Sequence, residues 1–373
     1  MSKPPSRLSY LSLDLWRGVA SLMVVIYHTA GVHSYHHKEL IASSIFRLAE
    51  YGWLGVQMFF VISGFCIANA AVISLSRDPH SRDFFLARFR RIFPPYWCSL
   101  VVFFILLKIT SYLASNKFAA GNGFSEGVDG LFSSNYILLN LFLAQNLVTT
   151  ITHFSWNIPS ILPISWTLCY ELAFYILIGL ALVTVGRRYG ARLMLRSLHC
   201  LTLLCVLANA IWGNLVPYPF CMWPNFGLGV LVYDVLGNAK DRESRRWFGF
   251  IFISLLATLV RTDYLLGIIQ PFRLSTVVSL FFALLLIVLH PLDSRIGKHK
   301  LLTAMMWVGS ISYSLYLTHH YILRVVLQLF EKLRLPDPSG VLGLLIGALG
   351  SLGFALLFYR FCEKPFLKKR PVS

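Results

Sequence analysis

Two sets of ionisable side chains stand out in an otherwise apolar chain. One set is His28, Glu171 and the pair His319–His320; the other is Arg17, Arg88 and Arg91. An imidazole, with an ordinary pKa of about 6.5, takes and returns a proton near neutrality. Guanidinium groups present a planar fork of donors that matches phosphate, and their charge strengthens each bond. Together these residue types suit proton transfer beside an anionic ligand. Plainer readings stand next to this one. A lone histidine in an apolar helix can be a buried neutral ring bonded to a helix carbonyl. Glu171 can be a buried protonated carboxyl or the partner of an arginine. Arg88, Arg90 and Arg91 can be basic residues at a cytoplasmic helix end, which is a sufficient account of Arg90. Arg88 and Arg91, three residues apart, share a helix face and so can share a ligand. Asp14 precedes Arg17 by three residues, which suits a cap of the first helix or an ion pair with Arg17.

The elements that must hold these groups are membrane helices. The 373 residues are 57% hydrophobic and 13% charged, where soluble domains carry about 25% charged residues. A crossing needs roughly 20 mainly apolar residues. Such stretches fall near 13–32, 53–73, 92–112, 165–185, 198–215, 223–238, 247–262, 272–290, 303–324 and 341–361. The fold class expected is therefore an all-α polytopic helix bundle of about ten transmembrane helices. Both termini are expected in the cytoplasm, because that orientation puts 24 of the 33 Lys and Arg residues inside, as the positive-inside rule requires. The net charge of +17 is thereby explained by loops, without nucleic acid. The first apolar run carries no signal-peptidase pattern and reads as a retained helix. Residues 135–151 are apolar but break the alternation, so they are expected to be re-entrant or interfacial. The seven cysteines lack metal spacing and read as packing residues.

Depth then sorts the polar groups. At a rise of about 1.5 Å per residue, His28 lies roughly 16 Å above Arg17 on the first helix. Glu171 and His319 also fall toward the outer side, and the arginines toward the inner side. Polar residues inside a bilayer are costly and mark functional positions. Trp166 is an interfacial anchor or a platform for a sugar ring. Tyr313 and Tyr316 share a face of the ninth helix and are expected to hydrogen-bond across the bundle. Ser63-Gly64 lacks the G-x-S-x-G nucleophile signature and reads as a close helix approach. His33, His36 and His37 in an outer loop read as solvated, and no metal is expected.

Six stretches carry a family resemblance. "LDLWRGVASLMVVIYHTAG" holds an arginine, ten residues and a histidine, Arg17 and His28. "GWLGVQMFFVISGFCI" (52–67) follows, then "RFRRIFPPYW" (88–97) with Arg88 and Arg91. "SWTLCYELAFY" (165–175) holds Trp166 and Glu171, "ISYSLYLTHH" (311–320) holds Tyr313, Tyr316 and His319, and "FYRFCEKPF" (358–366) closes the series. In this order they resemble the acyltransferase-3 family of membrane-bound acyltransferases across nearly the whole chain. Departures are the missing glycine after the aspartate of "LDLWRG", Cys169 at a usually small or aliphatic place, and His320 as an extra histidine. The resemblance implies ten helices in the bacterial cytoplasmic (inner) membrane. It also implies an acyl-CoA co-substrate, most simply acetyl-CoA, with no permanently bound cofactor. The acceptor implied is a carbohydrate or lipid-linked glycan. Some members carry a soluble hydrolase-like domain; the expectation here is one transmembrane domain over residues 1–373 with none appended.

On that reading His28 is the base that takes the acceptor hydroxyl's proton, or the nucleophile that itself takes the acyl group. Glu171 orients His28 or binds acceptor hydroxyls, and Arg17, Arg88 and Arg91 clamp the phosphates of coenzyme A. Asp14, Trp166, Tyr313, Tyr316 and His319 line the substrate cavity. The alternative function is a secondary transporter relaying protons through the intramembrane His and Glu. Transporters often have two related halves, whereas each of these motifs occurs once.

Overall fold

The structure, a computed structural model, describes residues 8–36, 48–77, 80–113, 134–152, 160–238, 241–266, 271–332 and 341–367. Among these residues there are helices and no strand. The main elements are α1 (Leu13–His36), α2 (Gly55–Arg77), α3 (Arg82–Leu113), α4 (Ser134–Leu141), α5 (Gln145–Thr152), α6 (Trp166–Ala181), α7 (Ala191–Trp212), α8 (Trp223–Gly237), α9 (Arg242–Leu266), α10 (Pro271–Leu289), α11 (Lys300–Ser310), α12 (Ser312–Lys332) and α13 (Val341–Phe358). Among the described residues six helical stretches, those containing α2, α3, α6, α7, α10 and α13, are long and apolar enough to cross a membrane. The chain is thus an all-α protein with several membrane-crossing helices.

The chain forms two compact units. The first comprises residues 1–17, 56–88 and 170–306. Its centre is aromatic. Phe174 on α6 meets Phe226 in a tilted pair with ring centroids 4.4 Å apart and meets Trp223 and Phe60 edge-on. The backbones of α2 and α8 touch where Gly64 faces Phe226 and Gly229, and a Cβ on either glycine would collide with main chain. Small residues permit that approach. The start of α1 is held from a distant segment. Asp293 accepts the Leu11 and Ser12 N–H groups at 2.7 and 2.8 Å and the Ser12 hydroxyl at 2.7 Å. These are orphan donors at a helix N-terminus, and a carboxylate answers them best. A second buried ionic group ties α7 to α8. His199 Nε2 and Asp234 Oδ2 are 2.9 Å apart, and Arg196 lies 3.8 Å from the same oxygen. In the loop after α8, Asp241 accepts from Arg192, which holds its carboxyl below the usual carboxylate range.

The second unit comprises residues 18–55, 89–169 and 307–373. Val25, Val308, Ile311, Leu315 and Ala355 form its buried apolar cluster. The stretch expected as one helix over 303–324 is two, α11 and α12, parted at Ile311. Glu363 accounts for the break. Its buried carboxylate accepts the Ser314 N–H at 3.1 Å and the Ser314 hydroxyl at 2.5 Å, so the newly exposed N-terminus of α12 has its own cap. Glu363 ends a π-helical turn, Tyr359–Glu363, that follows α13. Glu363→Ala should leave these buried donors unpaired and cost about 1–3 kcal/mol. The readout is the apparent melting temperature of the detergent-solubilised protein; an unchanged value would remove the capping role, and Glu363→Gln should lie between.

Residues 135–151 fold as α4 and α5, eight residues each. A helix of that length rises only about 12 Å, far short of a bilayer core. The break between them passes through Leu143 at φ +55. Polar pairs explain why this apolar stretch does not run straight. Tyr96 and Trp97 donate to the carbonyls of Asn140 and Leu141 at 2.9 and 3.0 Å. The Asn140 side chain accepts the Ile161 N–H at 2.9 Å.

Candidate active site

The second unit gathers the histidines. His28 on α1 is half-buried. Its ring lies 5.1 Å from His319 and 5.3 Å from His320 on α12, centroid to centroid. Spacing on α12 brings this about, since adjacent residues 319 and 320 flank one edge of the helix and α1 presents one ring to both. His319 is fully buried, and its Nδ1 lies 3.0 Å from the Leu315 carbonyl one turn earlier. Tyr316, with its ring 5.9 Å from His319, has its hydroxyl 3.0 Å from the Ile164 carbonyl and 2.6 Å from the Thr167 hydroxyl. Tyr313 donates to the Ile92 carbonyl at 3.0 Å. Pro94 and Pro95 lie inside α3 and leave the Arg90 and Arg91 carbonyls without their helical donors. Arg91 lies over the Tyr313 ring at 5.9 Å. Both tyrosines therefore hydrogen-bond across helices, and both hydroxyls fix α12 in place. Trp166 stands exposed at the first position of α6.

The first unit gathers Glu171 with two hydroxyls. Ser63 donates to its Oε1 at 2.8 Å, and Tyr175, one turn along α6, donates to the same oxygen. Oε2 carries no hydrogen bond among the described residues and is the oxygen left for a ligand. The Arg88 guanidinium lies 5.6 Å over the Tyr175 ring, and its Nε is buried with no hydrogen-bond partner among the described residues. An unsatisfied buried guanidinium donor is costly, so Arg88 has capacity for an anion. Arg17 is more occupied. It pairs with Asp14 at 2.8 Å and reaches Cys66 Sγ at 3.2 Å. Asp14 is thus the ion-pair partner of Arg17, and the cap of α1 is Asp293.

Sequence reasoning missed Ser63, Tyr175, Asp293 and the Glu363–Ser314 pair. Ser63, Tyr175, Ser314 and Glu363 all lie within the quoted motif stretches, and Tyr175 also sits four residues after Glu171 on the same helix face; Asp293 carried no signal. The side chains of His33, His36 and His37 lie outside the described residues. Among the described residues no group of His, Cys, Asp and Glu is placed to hold a metal ion.

Residues 10–360 match the Acyl_transf_3 model, described as an acyltransferase domain. The chain belongs to the acyltransferase-3 family. It is 25% identical over 97% of its length to the peptidoglycan O-acetyltransferase OatA of Listeria monocytogenes, covering 56% of that protein. It is 24% identical over 96% of its length to the O-acetyltransferase OatA of Staphylococcus aureus, covering 57% of it. The chain therefore spans little more than half the length of these relatives. No solved structure matches it. As an acyltransferase-3 domain it places two of its six motif stretches in directly structural roles: Glu363 caps α12, and Gly64 seats α2 on α8.

Proposed function

We propose that this acyltransferase moves an acyl group, acetyl in the simplest case, from cytoplasmic acyl-CoA to a hydroxyl of an envelope or exported glycan. The observation that carries the reading is His28, a half-buried imidazole held against two further histidines in a chain of this family. The name of the Listeria relative, a peptidoglycan O-acetyltransferase, favours peptidoglycan as the acceptor, and the apolar helices favour the bacterial cytoplasmic membrane as the place.

A neutral hydroxyl is a poor nucleophile, so its proton must leave as it attacks. His28 takes that proton while the hydroxyl oxygen bonds to the thioester carbonyl carbon. The tetrahedral intermediate then expels the coenzyme A thiolate, which receives the proton from His28. Glu171 offers its free Oε2 to an acceptor hydroxyl, with Ser63 and Tyr175 holding the other oxygen. Arg88, Arg17 and Arg91 are the phosphate ligands proposed for the donor, Arg88 having the spare donor capacity. Trp166 offers a face on which a sugar ring can stack. The deciding experiment is NMR of O-acetyl esters in the envelope glycan of a deletion strain. Esters should vanish, return with the wild-type gene and stay absent with His28→Ala. Unchanged ester content on deletion would sink the reading.

The proposed orientation, both termini cytoplasmic with about ten crossings, has its own test. In a background without other cysteines, single cysteines at positions 80 and 240 should resist an impermeant thiol reagent in intact cells. One at position 215 should react. Labelling of position 240 from outside would overturn the orientation of the middle of the chain.

A further inference from the structure

We infer that His319 is a positioning residue for His28, fixing through its Nε2 which nitrogen of the His28 ring is left bare to act as the base. The inference rests on the reading of His28 as base. It starts from a hydrogen bond that admits one proton placement. His319 Nδ1 faces the Leu315 carbonyl at 3.0 Å. A carbonyl only accepts, so Nδ1 carries the hydrogen and the neutral ring has its lone pair on Nε2. That Nε2 is buried and has no hydrogen-bond partner among the described residues, in a side chain with 0% exposure. Buried acceptors are nearly always paired, and this one is fully made for a donor.

The candidate donor is alongside. The His28 ring sits 5.1 Å from that of His319 at a tilt of 45°, close enough for a small reorientation to join the two edges by one N–H···N bond. Catalytic hydrogen bonds are often loose before substrate binds. His319 cannot make the adjustment. The Leu315 carbonyl holds its Nδ1, and the Tyr316 ring, its hydroxyl tied to Ile164 and Thr167, lies 5.9 Å away. His28, half-buried, is the mobile partner, and His320 packs edge-on against it at 5.3 Å. With one His28 nitrogen donating to His319, the other presents a lone pair. It takes the acceptor hydroxyl's proton as the new ester bond forms, and gives that proton to the thiolate as the thioester bond breaks. His28 keeps its hydrogen bond to His319 throughout. The division of labour is that of a base and the group that orients it, with a neutral ring in place of the carboxylate.

The test measures thiol release from acetyl-CoA by inverted membrane vesicles carrying the full chain, with endogenous envelope glycan as acceptor. His319→Ala should lower the maximal rate about tenfold or more and leave the KM for acetyl-CoA unchanged. His319→Gln, whose amide oxygen accepts a hydrogen bond but cannot serve as a base, should recover most of that loss. The double variant with His28→Ala should be no slower than His28→Ala alone, because the two act as a unit. Wild-type rate in His319→Ala, no recovery in His319→Gln, or a further fall in the double variant each overturns the inference while His28 stands as base. Near-normal rate in His28→Ala overturns the reading beneath it instead. Histidine ¹⁵N spectra of the wild-type chain in lipid need no variant: an Nε2–H tautomer at His319 would refute the proton placement.

Discussion

His28→Ala should leave the protein folded, in the membrane and able to bind acyl-CoA, with transfer slowed about 10²–10⁴-fold, the range for losing a general base. The large effect follows from what the ring does. The hydroxyl must lose its proton as it attacks, and His28 is a half-buried imidazole set against both histidines of α12. His28→Gln should not rescue, because an amide oxygen accepts a hydrogen bond without taking the proton. Rate should also fall as acid protonates the imidazole, since an imidazolium has no lone pair to offer. Thiol release from acetyl-CoA and ester content of the glycan are the two measurements. A well-expressed His28→Ala protein that acylates at near wild-type rate would remove His28 from the mechanism and leave His319 as the base to test next.

Arg88→Ala should raise the apparent KM for acetyl-CoA about ten- to hundredfold. A charge-assisted phosphate contact is worth about 1.5–3 kcal/mol, and the acceptor dependence should move much less. Arg88 is expected to exceed Arg17 in this respect. Its Nε is buried without a partner, whereas Arg17 already pairs with Asp14 and Cys66. Arg88→Lys should recover only part of the loss, because an ammonium keeps the charge but not the fork. Unchanged acetyl-CoA dependence in Arg17→Ala, Arg88→Ala and Arg91→Ala alike would eliminate the donor site. Equal effects at Arg17 and Arg88 would instead show that the Asp14 pair yields to phosphate.

The sequence by itself determined the class of protein, the positions of the apolar helices and the family. Hydrophobic runs report burial in lipid whatever packs against them, and motif words in order report descent. His28, Glu171 and the arginines stood out for the same reason, since an ionisable group in an apolar run is conspicuous without any partner. Local spacing also carried the Asp14–Arg17 pair, because three residues bring two side chains together on any helix. Tertiary structure decided everything that depends on what meets what. Asp293 reaches α1 across 281 residues of chain, and Glu363 reaches Ser314 across 49; no periodicity encodes either. The break at Ile311 was hidden because the apolar pattern runs through it, and the Glu363 carboxylate that caps the new helix start comes from a distant stretch. Ser63 looked like the neighbour of a packing glycine until the fold set it against Glu171. The histidine cluster is of the same kind. His28 and His319 are legible as residues, but only the approach of α1 to α12 puts a bare, buried Nε2 beside the ring proposed as the base.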